Sequence, residues 1–256
     1  MKLLGLIGYP LGHSFSQDYF RTKFRNEQIT GIDYLTFPLE NIAELPELIQ
    51  KHPQLYGLNV TIPYKEKVIP FLDECDDIVR ATGAANTLYI ERTPAGIKIR
   101  GYNTDVKGFE TMAEKWQKTP VKRAMVLGTG GASGAVRYVL KKRNTEVLLV
   151  SREKRGANII GYKDLNREIV SSCQLVINTT PLGMFPETDL YPDIPYSRIS
   201  SAHIVADLIY NPSETLFLKK CRQQGAVIFN GLEMLQAQAE ASWRIWEQQQ
   251  KSLLNG

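Results

Sequence analysis

Cysteine and histidine are scarce in this chain, with three of each among 256 residues. Cys75, Cys173 and Cys221 are odd in number and far apart. That argues against a disulfide framework and fits reduced structural thiols in a cytosolic protein. His13, His52 and His203 show no metal-ligand spacing with them, so no metal is expected. No apolar run is long enough to span a bilayer, and the first residues lack the layout of a signal peptide. An excess of one charge sign is also missing. The formal charge of +4 is small, and no basic run carries interleaved aromatics, so nucleic acid is not an expected partner. No internal repeat or low-complexity tract occurs. What remains is an ordinary globular composition, 43% hydrophobic and 23% charged, in a chain that holds one large domain or two modest ones.

The most informative stretch runs from Ala124 to Gly134. An apolar run ends in Gly128-Thr129-Gly130-Gly131-Ala132, and a helical pattern follows through Val136, Val139 and Leu140. Strand, tight turn and helix in this order suit a dinucleotide pyrophosphate, because helix-start N–H groups face the anion. Ser133 stands where the third glycine of that pattern falls and is small enough for close packing. A tight strand–helix turn without a nucleotide, or an S-adenosylmethionine site, would read similarly. Glu146 to Val150 reads as the next strand, ending in Ser151-Arg152-Glu153-Lys154-Arg155. An NAD site tends to carry an acid there. A guanidinium at Arg152 suits a 2′-phosphate instead, which favours NADP, with Glu153 as a counter-signal.

The remaining chain alternates strands and helices, which implies mostly parallel sheets with ligands beyond the strand carboxyl ends. Lys2 to Ile7 is the first strand. After it come Ser14 and Ser16, the latter a plausible N-cap, and both placed to bond a carboxylate or polyol. Asp33–Phe37 and Leu55–Val60 read as strands, and Pro63 suits the opening of a helix. Asn59, Thr61 and Lys65 crowd that junction, although a lone lysine is usually solvated surface. Asp73 to Ala81 reads as helix, and Gly83 to Arg100 as a loop leading into a hairpin. Asp105 at the next helix start reads as a cap and no more. Pattern is lost near Lys118-Thr119-Pro120. Leu175–Asn178, Ile204–Tyr210 and Ala226–Phe229 read as strands, and a long helix closes the chain from Leu232 through Trp246.

These motifs together resemble the shikimate dehydrogenase family, in order and over nearly the whole chain. They are His13-Ser14-Phe15-Ser16, Asn59 to Lys65, Gly83 to Thr87, Asn103-Thr104-Asp105 and the glycine turn. Ser151-Arg152, Asn178 to Gly183, Gly231 and Met234 to Gln238 complete the set. The resemblance implies two α/β domains with a cleft between them. Residues 1–106 and 231–256 would form a discontinuous, mostly parallel substrate domain, and 107–230 a Rossmann-like NADP-binding domain. It implies Lys65 and Asp105 as the catalytic pair, Ser14 and Ser16 for the substrate carboxylate, and Asn59, Thr61, Asn86 and Gln238 for ring hydroxyls. Tyr210 would close over the substrate. Cofactor contacts would fall to Gly128, Thr129, Gly130, Gly131, Ala132, Ser151, Arg152, Asn178, Thr179, Thr180, Leu208, Gly231 and Met234.

The implied reaction is reversible NADPH-dependent reduction of 3-dehydroshikimate to shikimate, a cytoplasmic step towards chorismate and aromatic amino acids, by a monomer or homodimer. Two departures stand out. Gln17 replaces a proline common in the family, and the segment after Arg152 is short with few arginines. Neighbouring readings are a quinate/shikimate dehydrogenase of broader substrate or NAD use, a non-catalytic NADPH-binding redox sensor, and a methyltransferase. Intact Lys65 and Asp105 argue against the sensor.

Overall fold

A computed structural model describes residues 1–12, 15–153 and 156–254. The chain divides into two compact units, 1–104 with 239–256, and 105–238.

The first unit is built on a six-stranded sheet. Its strands are β1 (Lys2–Gly8), β2 (Ile32–Pro38), β3 (Leu55–Val60), β4 (Glu74–Cys75), β5 (Thr87–Thr93) and β6 (Gly96–Tyr102), in spatial order β2-β1-β3-β5-β6-β4. The pairings leave β5 as the one strand running against its neighbours. Every residue of β3 is buried, as expected of a sheet covered on both faces. The period of two in β1 sorts its side chains between the two faces. Leu3 and Ile7 join Leu45, Ile49, Leu58 and Val60 on one, above α2 (Leu45–Lys51). Leu4 and Leu6 join Phe20, Tyr34, Trp243 and Trp246 on the other. That second face is covered by α1 (Phe15–Asn26) and by the distal part of a long helix, Leu232–Leu254.

The aromatic face of this unit is tightly interlocked. Phe20 stacks on Tyr34 at 4.6 Å between ring centroids, and Trp246 lies 5.6 Å from Phe20. The indole Nε1 of wholly buried Trp246 donates to Leu88 O at 2.9 Å. Gly57 makes this approach possible, because a Cβ there would meet the indole and would come within 2.6 Å of Leu4 Cδ2.

Three sequence expectations change here. Pro63 opens no helix: turns run from Ile62 to Val68, followed by a short 3-10 turn at Ile69–Phe71. The stretch from Asp73 to Ala81 is split into β4 and the short α3 (Asp77–Thr82), which Asp76 caps by accepting from Val79 N. Ser16 is not an N-cap, since α1 already includes Phe15.

The second unit has a six-stranded, wholly parallel sheet. Its strands are β7 (Arg123–Leu127), β8 (Glu146–Ser151), β9 (Ile159–Gly161), β10 (Leu175–Asn178), β11 (Ile204–Asp207) and β12 (Val227–Phe229). They lie in the order β12-β11-β10-β7-β8-β9. Read from the other edge this is 3-2-1-4-5-6, the doubly wound dinucleotide-binding order. Helices α4 (Asp105–Ala113), α5 (Gly131–Lys142), α6 (Arg167–Ser172) and α7 (Leu216–Gln223) belong to this unit. The final helix, α8, is the Leu232–Leu254 helix, whose residues up to Gln238 count with it. Gly108 explains why α4 belongs here: a Cβ on it would lie 2.6 Å from Met234 O and 3.1 Å from Gln238 Cβ.

Between β8 and β9 the described residues form bends and turns and no α-helix, in keeping with the short segment read from sequence. Cys75, Cys173 and Cys221 are all free thiols. Among the described residues no helix is long and apolar enough to cross a membrane.

Gly57→Ala tests the aromatic packing. The added methyl must displace Trp246 or Leu4, and overpacking of this kind costs about 1–3 kcal/mol. We expect that loss of unfolding free energy in urea, together with a change in tryptophan emission; an unaltered midpoint would mean the sheet yields freely at this point.

Candidate active site

In the first unit, β1 and β3 end side by side, and their junctions carry the polar residues singled out in the sequence. Asn59 is buried near the end of β3. Its Oδ1 accepts from the Tyr34 hydroxyl at 2.8 Å. Its Nδ2 lies 3.0 Å from Ser242 Oγ and 3.3 Å from both Asn86 O and Thr87 Oγ1. Both ends of this amide are therefore engaged inside the protein, and Asn59 is placed as a support for its neighbours. The Ser16 side chain is hydrogen-bonded to the Tyr34 phenol. Since that phenol donates to Asn59, it accepts from Ser16. Burial raises the Tyr34 phenol well above its ordinary range, so it stays protonated and keeps donating.

Asn86 sits beside this group. Its Oδ1 accepts from Thr104 N at 2.7 Å, and its Nδ2 donates to Thr104 Oγ1 at 2.9 Å. The hydroxyls of Thr87, Thr104 and Ser242 lie within 2.7–3.2 Å of one another. The backbone continues the stitching: Val60 N donates to Asn86 O at 2.8 Å, and Ala85 N donates to Lys65 O at 2.8 Å. Thr61 N bonds Ile7 O, and Tyr64 N bonds Thr61 O, both at 2.9 Å. The turn that carries half-buried Lys65 is thereby fixed to the loop that carries Asn86.

The first unit thus gathers Ser16, Asn59, Thr61, Lys65 and Asn86 at one end of its sheet. Ser14 lies outside the described residues. Tyr34, Thr87, Thr104 and Ser242 belong to the same network; Thr87 and Thr104 stand in the sequence motifs without a role, and Tyr34 and Ser242 were missed by sequence reasoning. Each is a common residue within a strand, a helix or a strand-to-helix connection, and each has a partner 17 or more residues away.

In the second unit, the glycine turn leads from β7 into α5. Gly128 has φ +106°, a conformation that suits glycine. Gly130 is the N-cap of α5 and brings no side-chain acceptor to the helix start; a Cβ built on it meets nothing within 4 Å. Open space above a helix start whose cap leaves its N–H groups to other acceptors fits a pyrophosphate. Beside the turn is an open cavity of about 550 Å³ lined by Thr129, Ser151, Arg152, Glu153 and Ile159. Arg152 is exposed there, and its cation opposes the rise, to about 12, that burial imposes on the Tyr162 phenol. These residues fit a phosphorylated adenosine ribose. Thr179 bonds Leu127 O through both its N and its Oγ1, at 2.9 and 2.7 Å. Asn178 is wholly buried, with its amide turned inward to Asp207 at 3.0 Å and to Thr180 Oγ1 at 2.6 Å. Its side chain is thus spent on Asp207 and Thr180.

Asp105 is buried at the first position of α4, where the positive end of the helix favours a carboxylate. Gln238 faces the crossing of α4 and α8 at Gly108, with its Nε2 donating to Leu235 O at 2.9 Å. Gly231 N donates to Ile209 O at 3.0 Å, and a Cβ on Gly231 would strike the Leu208 carbonyl. This seats the start of α8 against the end of β11, next to half-buried Tyr210, whose phenol burial also raises. Met234 is buried one turn further along.

A parallel sheet in the 3-2-1-4-5-6 order with a glycine turn at its first helix defines a dinucleotide-binding α/β protein, here joined to a second α/β unit with a polar strand-end cluster. Comparison with known proteins narrows the class. Residues 6–88 match the shikimate dehydrogenase substrate binding domain. The chain is 38% identical to the shikimate dehydrogenase (NADP(+)) of Halothermothrix orenii, over 96% of this chain and 90% of that one. It superposes on shikimate dehydrogenase 1 of Peptoclostridium difficile with a TM-score of 0.84 at 33% identity, covering 97% and 92% of the two chains. The Thermus thermophilus shikimate 5-dehydrogenase in complex with NADP(H) and shikimate gives 0.81 at 25% identity, covering 96% and 93%. The chain belongs to the shikimate dehydrogenase family.

The Tyr34 hydroxyl offers a direct test of the strand-end network. Tyr34→Phe leaves the ring stacking intact but deprives buried Asn59 Oδ1 of its donor. An orphaned buried acceptor costs about 1–3 kcal/mol, so chemical denaturation should show a loss of that size. A variant as stable as the parent would remove this hydrogen bond from the framework.

Proposed function

We propose that this protein catalyses the reversible NADP-dependent interconversion of 3-dehydroshikimate and shikimate, a cytoplasmic step on the route to chorismate. The observation that carries the reading is family membership with Lys65 and Asp105 both in place. We assign substrate binding to the discontinuous N-terminal domain and cofactor binding to the glycine-turn domain.

When bound, the nicotinamide cofactor supplies or accepts the hydride. In the reductive direction negative charge develops on the carbonyl oxygen, and a proton must reach it. The Lys65 ammonium stabilises that charge and donates the proton; in reverse, the neutral amine takes the proton from the hydroxyl. Asp105 is the second member of the proposed catalytic pair. Ser14 and Ser16 donate to the substrate carboxylate, and Thr61, Asn86 and Gln238 hold the ring hydroxyls. Asn59 takes part by bracing Asn86 and, through Tyr34, Ser16. On the cofactor side, the α5 start receives the pyrophosphate. Arg152 receives the 2′-phosphate, and Gly231 and Met234 flank the nicotinamide.

Two experiments test this. Purified protein should reduce NADP⁺ when given shikimate, and Lys65→Ala should lower kcat by roughly 10²- to 10⁴-fold with a far smaller change in shikimate affinity. Asp105→Asn should also lower kcat. A Lys65→Ala enzyme with normal turnover, or with a defect in binding alone, would take the lysine out of the chemistry.

Arg152→Ala should weaken NADP by about 1.5–3 kcal/mol, the scale of a lost charged hydrogen bond, while NAD changes little. Equal losses for the two cofactors, measured by calorimetry, would refute the 2′-phosphate role.

A further inference from the structure

Asp207, the last residue of β11, is wholly buried and has no part in the chemistry proposed above. Its Oδ1 accepts from Asn178 Nδ2 at 3.0 Å and from Ile209 N at 3.1 Å, and its Oδ2 accepts from Thr215 Oγ1 at 2.6 Å. All three partners act as donors, a set that matches a carboxylate. Each holds a different segment. Thr215 is the N-cap of α7 and accepts from Leu218 N at 3.3 Å. Ile209 lies in the loop after β11, and its carbonyl accepts from Gly231 N. Asn178 ends β10.

Asn178 carries the linkage onward to the glycine turn. Its Oδ1 accepts from Thr180 N at 3.0 Å and from Thr180 Oγ1 at 2.6 Å. Thr180 then packs against the turn, where a Cβ on Gly128 would lie 3.0 Å from Thr180 Cγ2 and 2.7 Å from Thr179 Oγ1. A continuous path of hydrogen bonds and close packing thus joins Asp207 to the loops after β7, β10 and β11.

The carboxylate is not there to raise stability near neutral pH. Burial pushes it up to about 7, outweighing the three donors, and Cys221, whose thiol it helps to raise, adds no positive charge. With a folded-state value above the unfolded one, the native protein holds this proton the more tightly. Stability from this group is therefore lost as pH rises from the ordinary carboxylate range towards 7. Above that, the ionised form bears its desolvation.

We propose that Asp207 is a positioning residue for the bound dinucleotide, holding the loops after β10 and β11 in register with the glycine turn. The proposal rests on the reading of this unit as the cofactor domain.

The test uses the full chain at pH 8. NADPH is titrated by nicotinamide fluorescence and shikimate by calorimetry, with the wild type, Asp207→Asn, Thr180→Val and the double variant, and thermal unfolding is followed for each. NADPH binding by the wild type checks the underlying reading; if it fails, the cofactor assignment and this proposal fall together. Given wild-type binding, Asp207→Asn should raise the NADPH Kd about tenfold, the scale of one lost charged hydrogen bond. Shikimate affinity should stay within about twofold and the unfolding temperature should not fall, a split that general loosening of the fold does not produce. The double variant should be less than additive. An unchanged NADPH Kd in folded Asp207→Asn overturns the proposal, as does equal weakening of both ligands together with a lower unfolding temperature. Should Asp207→Asn fail to fold, an unchanged NADPH Kd in Thr180→Val overturns the relay, and a raised one with shikimate affinity intact supports it.

Discussion

The hydrogen bond from Tyr34 to Asn59 is the contact on which the first unit of this protein depends. A buried asparagine needs partners for both ends of its amide, because leaving one end unpaired costs more than the bond contributes when made. Here the partners come from β2, β5 and α8, together with the residue before β5. Satisfying one side chain therefore fixes three segments relative to β3. The residues proposed to touch substrate are carried on those segments or tied to them: Ser16 through Tyr34, Asn86 through its carbonyl, and Lys65 through the backbone of Ala85. Such a network specifies a single arrangement only when every member is satisfied.

The second unit solves the same problem in another way. Its sheet is wholly parallel, so every strand delivers its following loop to the same edge. The glycine turn leaves its helix start without a side-chain cap and with open space above Gly130, an arrangement that suits an anion. Its neighbours must then be held by something else, and the buried amide and carboxylate of Asn178 and Asp207 serve that purpose. In both units the polar groups at the strand ends divide into those left for a ligand and those that brace them.

How legible this was follows from the range of each signal. The glycine turn, the β5–β6 hairpin, and β3 and β10 could be read because strand period, turn residues and helix starts are local. Motif order over the chain led to the family for the same reason. Long-range bracing could not be read. Ser242 lies 183 residues from Asn59 and looks like any small residue on a helix face. Asn59 and Asn178 stood out as polar residues at strand ends, but only the folded chain shows that both amides point inward. Pro63 misled because a proline after a strand suits a helix start and a turn equally well. Ser16 misled by one or two residues, the usual error at a helix boundary.

The central claim is that the substrate-side residues are assembled by their own buried hydrogen bonds before any ligand arrives. Amide hydrogen exchange on the full-length protein, with and without shikimate, tests it most directly. Preassembly predicts that amides of Leu58 to Val60, Asn86 to Leu88 and Thr104 are strongly protected in the free protein and gain little when shikimate is added. Fast exchange at these positions in the free protein, with protection appearing only on binding, would contradict it.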